Sequence, residues 1–268
     1  YVCAFSACAN SQGIVSGSIL HCHIMAGSGL SKDLHVGNAL VNMYAKCGHI
    51  EGALRAFIEM SEHDVVSWTA ILSAYSQQGQ GREALDCFEW MQSEGLLADV
   101  VTFTSLLKAC SITGTIAKGK QIHDEIVTRG FLKTDMVLGN ALVDMYVKCG
   151  MLEKAQLVLE ELPFRNILSW HALIAGYAQQ GQGHKVIHCF ERMLSEGFSP
   201  NAITYTCILK ACGNIEAIDK GTRIHEAIVS QGYLEKDSVL ATALVDMYAK
   251  CNMLDKAQEV FDGYHGIL

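Results

Sequence analysis

NALVNMYAKCG, residues 38–48, is the stretch on which the fold turns, because it is written three times. It returns as NALVDMYVKCG at 140–150 and as TALVDMYAKCN at 242–252, 102 residues apart in each case. A period near 34 also divides 102, so the long interval alone leaves the kind of repeat open. The inner spacing resolves it. An aligned landmark falls at Cys8, Tyr44, Tyr75, Cys110, Tyr146, Tyr177, Cys212 and Tyr248, in recurring steps of 36, 31 and 35. Cut at that rhythm, the chain divides into a partial first segment, 1–33, followed by 34–64, 65–99, 100–135, 136–166, 167–201, 202–237 and 238–268.

Each segment carries two helical patterns. In 34–64, Ala39, Leu40, Met43 and Tyr44 form one apolar stripe, Gly48 follows as a helix stop, and Ala53, Phe57 and Met60 form a second stripe. The second-helix signature returns at Ala84/Phe88, Ala155/Leu159, Val186/Phe190 and Ala257/Phe261. A helical hairpin of this size cannot cover its own apolar face, so neighbours must stack. The expected fold is all-α, a right-handed superhelical solenoid of helix-turn-helix repeats with a long concave wall. Composition agrees: half of the 268 residues are hydrophobic, with two prolines and few aromatics.

No run approaches the eighteen or more apolar residues of a membrane span, and the opening YVCAFSACANSQG has neither a charged start nor a cleavage site. The chain is expected to be soluble, away from membranes, and an excerpt, since it begins without Met. Eight of the eleven cysteines recur at repeat positions: Cys8, Cys110 and Cys212; Cys47, Cys149 and Cys251; Cys87 and Cys189. Such thiols are expected to be small packing residues in a reducing compartment, not bridges or metal ligands. Twenty Lys+Arg against 28 Asp+Glu give a formal charge of −8, which argues against non-specific binding to nucleic acid or anionic lipid.

Catalytic signals are faint. Gly114 to Lys120 has the spacing of a phosphate-binding loop but is followed by Gln121 in place of Ser or Thr, and no strand pattern precedes it. His123-Asp124-Glu125 matches half of a zinc-deaminase signature with no P-C-x-x-C after it, while the equivalent His21 and His225 lack the Glu. A packing or helix-surface histidine accounts for all three. Trp68 and Trp170, and Tyr44, Tyr75, Tyr146, Tyr177 and Tyr248, sit at helical spacing and are assigned to the core; Trp90 has no aromatic equivalent. The expectation is a chain without catalytic residues, cofactor or metal.

Segments 65–99, 100–135 and 136–166, beginning VVSWTAILSAYSQQG, VVTFTSLLKACSITG and MVLGNALVDMYVKCG, resemble in length, order and wording the P, L and S motifs of plant PLS-class pentatricopeptide repeat (PPR) proteins. The resemblance covers the whole chain: a partial L, then S, P, L, S, P, L and S. It implies sequence-specific binding of single-stranded RNA at one base per repeat, an arrangement for which this family is the standing example. It places the reading pair at the fifth and last residues of each unit: Asn38 with Asp64, Thr69 with Asp99, Thr104 with Asp135, Asn140 with Asn166, His171 with Asn201, and Thr206 with Asp237. Thr242 lacks a partner, since Leu268 stands at the last position.

By the same resemblance, aliphatics at the second position, Val66, Val101, Val137, Leu168, Ile203 and Val239, clamp the base. His35 departs from that pattern, and His171 is not a usual reading residue. Lys46, Lys148 and Lys250, at position thirteen of the S units, are assigned to phosphates. For an isolated Asn or Thr near a helix start, capping is the competing account. The family further implies C-to-U RNA editing in a mitochondrion or chloroplast, with a deaminase domain fused or an editing cofactor protein supplied in trans. The rival reading is a protein-binding helical-repeat scaffold of tetratricopeptide type, which the acidic balance favours and the 36/31/35 rhythm does not.

Overall fold

The computed structural model describes residues 1–27, 33–234 and 237–265. Among them the regular structure is helical, with no strand. The chain forms two compact units, Tyr1–Met145 and Tyr146–Leu268.

In the first unit, α1 (Val2–Asn10), α3 (Leu34–Lys46), α5 (Val65–Gln77) and α7 (Val100–Thr113) pack side by side as one layer. Behind them lie α2 (Ile14–Gly27), α4 (Ile50–Ile58), α6 (Gly81–Ser93) and α8 (Ile116–Thr128). Helices α2, α4 and α6 each touch the first-layer helix that precedes them and the one that follows, closing the seam between hairpins. The boundary between units falls inside α9 (Met136–Lys148). The second unit repeats the scheme: α11 (Ile167–Gln179), α13 (Ala202–Asn214) and α15 (Ser238–Lys250) form the first layer, with α10 (Leu152–Glu161), α12 (Gly183–Ser195), α14 (Ile218–Ser230) and α16 (Leu254–His265) behind. Each sequence segment thus contains two helices.

The turn inside each hairpin has one backbone requirement. A single residue in the left-handed region ends the first helix, and it falls at Gln12, Gly48, Gly79, Gly114, Gly150, Gly181, Glu216 and Asn252. Five of these are glycine, the residue that enters this region without a Cβ penalty. Gly48 therefore ends its helix as expected. Gly114, which opened the loop-like run to Lys120, is the same device, and a helix rather than a strand leads into it.

The core consists of the repeat landmarks. Trp68, Trp170, Tyr44, Tyr146, Tyr177 and Tyr248 are buried and Tyr75 is half-buried. Trp68 Nε1 donates to Glu94 at 2.8 Å, and Trp170 Nε1 to its repeat equivalent Glu196 at 3.1 Å. The histidines of the L segments pack: His21 Nδ1 lies 3.1 Å from the Tyr44 hydroxyl, and His225 Nδ1 lies 2.9 Å from that of Tyr248. All eleven cysteines are free thiols. Burial pushes Cys87 and Cys189 up to about 12 and Cys212 up to about 11, as expected of packing residues. Trp90, on α6, is 62% exposed, and nothing in the structure explains it.

Candidate functional site

From α3 to α15 the first-layer helices begin on capping Asx residues, and these caps are the last residues of the preceding segments. Asp64 accepts from Ser67 N at 2.9 Å, Asp99 from Thr102 N at 2.7 Å, Asp135 from Leu138 N at 2.8 Å, Asn166 from Ser169 N at 2.9 Å, and Asn201 from Thr204 N at 2.9 Å. Asp237 accepts from Val239 N and Leu240 N, and Asp33 from His35 N and Val36 N. A residue that caps one helix can still bond the fifth residue of its own unit. Asp64 and Asn201 do both.

At Asn38/Asp64, the Asn38 Nδ2 donates to both Asp64 carboxylate oxygens, at 3.1 Å each. A carboxylate only accepts, so the Asn38 amide must present Nδ2 to it and turn Oδ1 away. That Oδ1 is buried with no hydrogen-bond partner, in a residue only 9% exposed. At His171/Asn201, Asn201 Nδ2 lies 3.3 Å from His171 Nδ1, and His171 Nε2 is likewise buried without a partner.

The threonine positions differ. Thr69 and Asp99, paired in the sequence reading, are linked through a third residue: Thr69 Oγ1 lies 2.6 Å from Thr102 Oγ1, which donates to Asp99 at 2.7 Å. Thr102 has one proton and spends it on the carboxylate, so Thr69 donates to Thr102 and keeps its lone pairs for the groove. Thr104, Thr206 and Thr242 donate back to the carbonyls four residues earlier, those of Val100, Ala202 and Ser238. Those bonds satisfy each hydroxyl within its own helix. Asn140 and Asn166 lie in different units.

In the first unit these residues line one groove of about 650 Å³, which gathers Asn38, Asp64, Thr69 and Asp99 with Val66, Val101, His35, Asn42 and Lys46. The second-position aliphatics have a common fate in both units. Val66, Val101, Val137, Leu168, Ile203 and Val239 are each more than half exposed, although they open helices whose remaining apolar residues are largely buried.

Charge is sorted between the layers. The first-layer helices hold Lys46, Lys108, Lys148, Lys210 and Lys250 against Asp144 and Asp246. Most other described carboxylates sit at caps or on the second-layer helices and the turns after them, and several pair there with cations: Lys118–Glu89 at 3.3 Å, Lys185–Glu153 at 2.7 Å, Lys220–Glu191 at 2.6 Å. Lys108 and Lys210 were missed in the sequence. They follow Thr104 and Thr206 by one helical turn, are exposed, and recur at the same 102-residue interval that revealed the others. The three assigned lysines are not equivalent. Lys250 is held by Asp246 at 2.8 Å, while the residue in the Asp246 position before Lys46 is the neutral Asn42. Among the described residues no cluster of three or more His, Cys, Asp or Glu is placed to hold a metal ion.

Models of the PPR repeat family match residues 63–111 and 165–214, and the PPR repeat matches 38–65, 101–131, 140–167 and 239–263. The chain belongs to the pentatricopeptide repeat family. A chloroplastic pentatricopeptide repeat-containing protein of Arabidopsis thaliana is 34% identical over 262 residues, 97% of this chain and 42% of the relative. A mitochondrial one from the same plant is 38% identical over 256 residues, 96% of this chain and 25% of the relative. The chain thus spans less than half the length of these relatives. Among solved structures, the pentatricopeptide repeat protein PPR10 in complex with an 18-nt psaJ RNA element superposes with a TM-score of 0.77, at 19% identity, over 94% of this chain and 37% of that one. The fold is the all-α pentatricopeptide solenoid.

Proposed function

We propose that the chain is a sequence-specific binder of single-stranded RNA that reads one base per repeat with its fifth and last residues. We assign it to the PLS class and to the target-recognition array of a C-to-U editing factor in a mitochondrion or chloroplast. A deaminase domain or an editing cofactor protein is supplied elsewhere in the protein or in trans. The observation that carries the reading is the groove of the first unit, where an unpartnered acceptor on Asn38 lies among exposed aliphatics and beside Lys46. A base sandwiched by Val66 and its neighbours would place its Watson–Crick edge against that acceptor, as single-stranded recognition requires.

The chemistry orders the choices. Asn38 Oδ1 needs a donor, which uracil supplies at N3. Thr69 also presents an acceptor, but on a shorter side chain, leaving room for a purine; guanine supplies N1–H and the exocyclic amine. The two units therefore read U then G from the 5′ side. Thr104/Asp135 gives a weaker G. The net charge of −8 is no obstacle locally, because the first-layer helices carry five lysines against two aspartates. Organelle names on the relatives and the RNA in the PPR10 complex support the assignment.

The test is a competition series in which one base at a time is varied in a short single-stranded RNA. Thr69→Asn should move the preference at one base from G toward U, by about 1–3 kcal/mol of discrimination, and leave the others. A change at another base, or at none, would defeat the residue assignment.

A further inference from the structure

Helix α12 packs against α11 and α13, and its buried side is made of Val186, Ile187, Cys189, Phe190 and Met193. The opposite side carries His184, His188, Glu191 and Ser195, at steps of four, three and four residues, and all of them are exposed. Residues four apart on a helix are neighbours, with Cβ atoms about 5–6 Å apart. Two imidazoles at that spacing can close on one metal ion with nitrogen–metal bonds of about 2.0–2.1 Å, as the paired histidines of helical zinc motifs do.

Neither ring is engaged elsewhere. His21, His49, His63, His171 and His225 are each held by a hydrogen bond. Among the described residues, His184 and His188 have no hydrogen bond, ion pair or ring contact. The hairpin does not require histidine at these places either, since the equivalents 102 residues earlier are Arg82 and Asp86, both exposed. The charged side chains on α12 are already paired. Glu153 of α10 holds Lys185 at 2.7 Å, Glu160 of α10 holds Arg192, and Glu191 pairs with Lys220 of α14 at 2.6 Å. A cation arriving between the two histidines therefore meets no unpaired positive charge on its own helix.

We propose that His184 and His188 form a bidentate surface site for a divalent transition-metal ion such as nickel, zinc or copper, with water in the remaining coordination positions. Imidazole nitrogen suits these ions, whereas magnesium and calcium take oxygen ligands. Binding needs both rings unprotonated and so weakens as the solution is acidified. The two residues share one ion only while α12 is helical. The ion therefore binds the folded chain in preference to the unfolded one and stabilises it. Because the site lies on the second layer, it is independent of the base reading proposed for the first.

The probe is nickel chloride, titrated by calorimetry into the parent chain, His184→Gln, His188→Gln and His23→Gln, at about pH 7.5 so that imidazole is neutral. His23 is exposed and has no histidine one turn away, so its variant is the control. Both α12 positions are exposed, and neither substitution disturbs packing. Each α12 variant should lose affinity by about ten-fold or more, at least what loss of a supporting contact costs at a metal site; His23→Gln should lose none. Nickel should raise the urea midpoint of the parent and leave those of the α12 variants in place. In amide spectra of the parent, substoichiometric nickel, being paramagnetic, should broaden the signals around residues 184–188 first. The proposal is overturned if broadening starts elsewhere, if the tightest nickel site survives in both α12 variants, if only one of the two histidines matters, or if magnesium chloride binds as tightly.

Discussion

Asp64 caps α5 and orients a side chain on α3, the neighbouring helix of the same layer, and the two tasks use the same carboxylate. Substitution by Asn separates them. Asn and Asp are about equally good caps, so Asp64→Asn should change stability by only a few tenths of a kcal/mol. Its Nδ2 would then face Asn38, forcing the Asn38 amide to turn over and present a donor to the groove. The preference at that base should move from U toward C, measured by the same competition series, and the urea midpoint should hold. A variant that loses stability but keeps U would mean that the carboxylate caps without orienting. The same logic explains why Thr69 needed the structure. Its link to Asp99 passes through Thr102, whose identity has no meaning in the reading pair until the hydroxyls are seen to touch.

At the scale of the helix and its turn, the repeat made most of the structure legible. The 102-residue interval located the hairpins, the glycine stop at Gly48 and the buried Trp and Tyr landmarks, because each rests on a local pattern that the sequence states several times. What it hid was the non-glycine version of the turn. Glu216 and Gln12 take the left-handed conformation that Gly114 takes at the equivalent place. Glu216 is exposed, so Glu216→Gly should relieve backbone strain at no packing cost and raise stability on the order of 1 kcal/mol, read from urea unfolding. A lower stability would show that the added freedom of the unfolded chain outweighs that relief. The hydroxyl bonds of Thr104, Thr206 and Thr242 were illegible for a related reason: each has a carbonyl in its own helix as an available acceptor, and spacing alone does not say which acceptor it takes.

For the molecule as a whole, electrostatics sets two expectations. Lys46 borders the groove of the first unit and has Asn42 where Lys250 has Asp246, so the three lysines should not weigh equally. Lys46→Ala should weaken binding of all RNA sequences alike and lower the salt slope by about 0.7, the share of one phosphate contact on a single strand. Lys250→Ala should cost less, and Asp246→Asn should tighten binding; equal effects of both lysine variants would refute the distinction. The second expectation concerns pH. Burial lowers the pKa of His171, and burial with Lys256 lowers that of His225. Below the unfolded value of about 6.5 the unfolded chain therefore takes up more protons than the folded one. Their contribution to stability is present above that value and lost as pH falls through it. The urea midpoint should drop between about pH 7.5 and 5.5, and His171→Asn combined with His225→Gln should flatten the decline. Glu153 and Glu160, whose pKa values are lowered by bonds that include Lys185 and Gln156, act only in the more acidic carboxylate range.

The double use of the capping residue also bears on how such an array changes its target over generations. A helix start of this kind takes Asp, Asn, Ser, Thr or Gly at little cost, so under the proposed reading a change among these rewrites what a unit recognises while the scaffold scarcely registers it. Retargeting then proceeds through single substitutions that selection on folding does not oppose. Any departure from that set is penalised twice, in the frame and in the reading, and is removed before it can spread. Recognition in such a chain is evolvable because its vocabulary is confined to residues the backbone already requires.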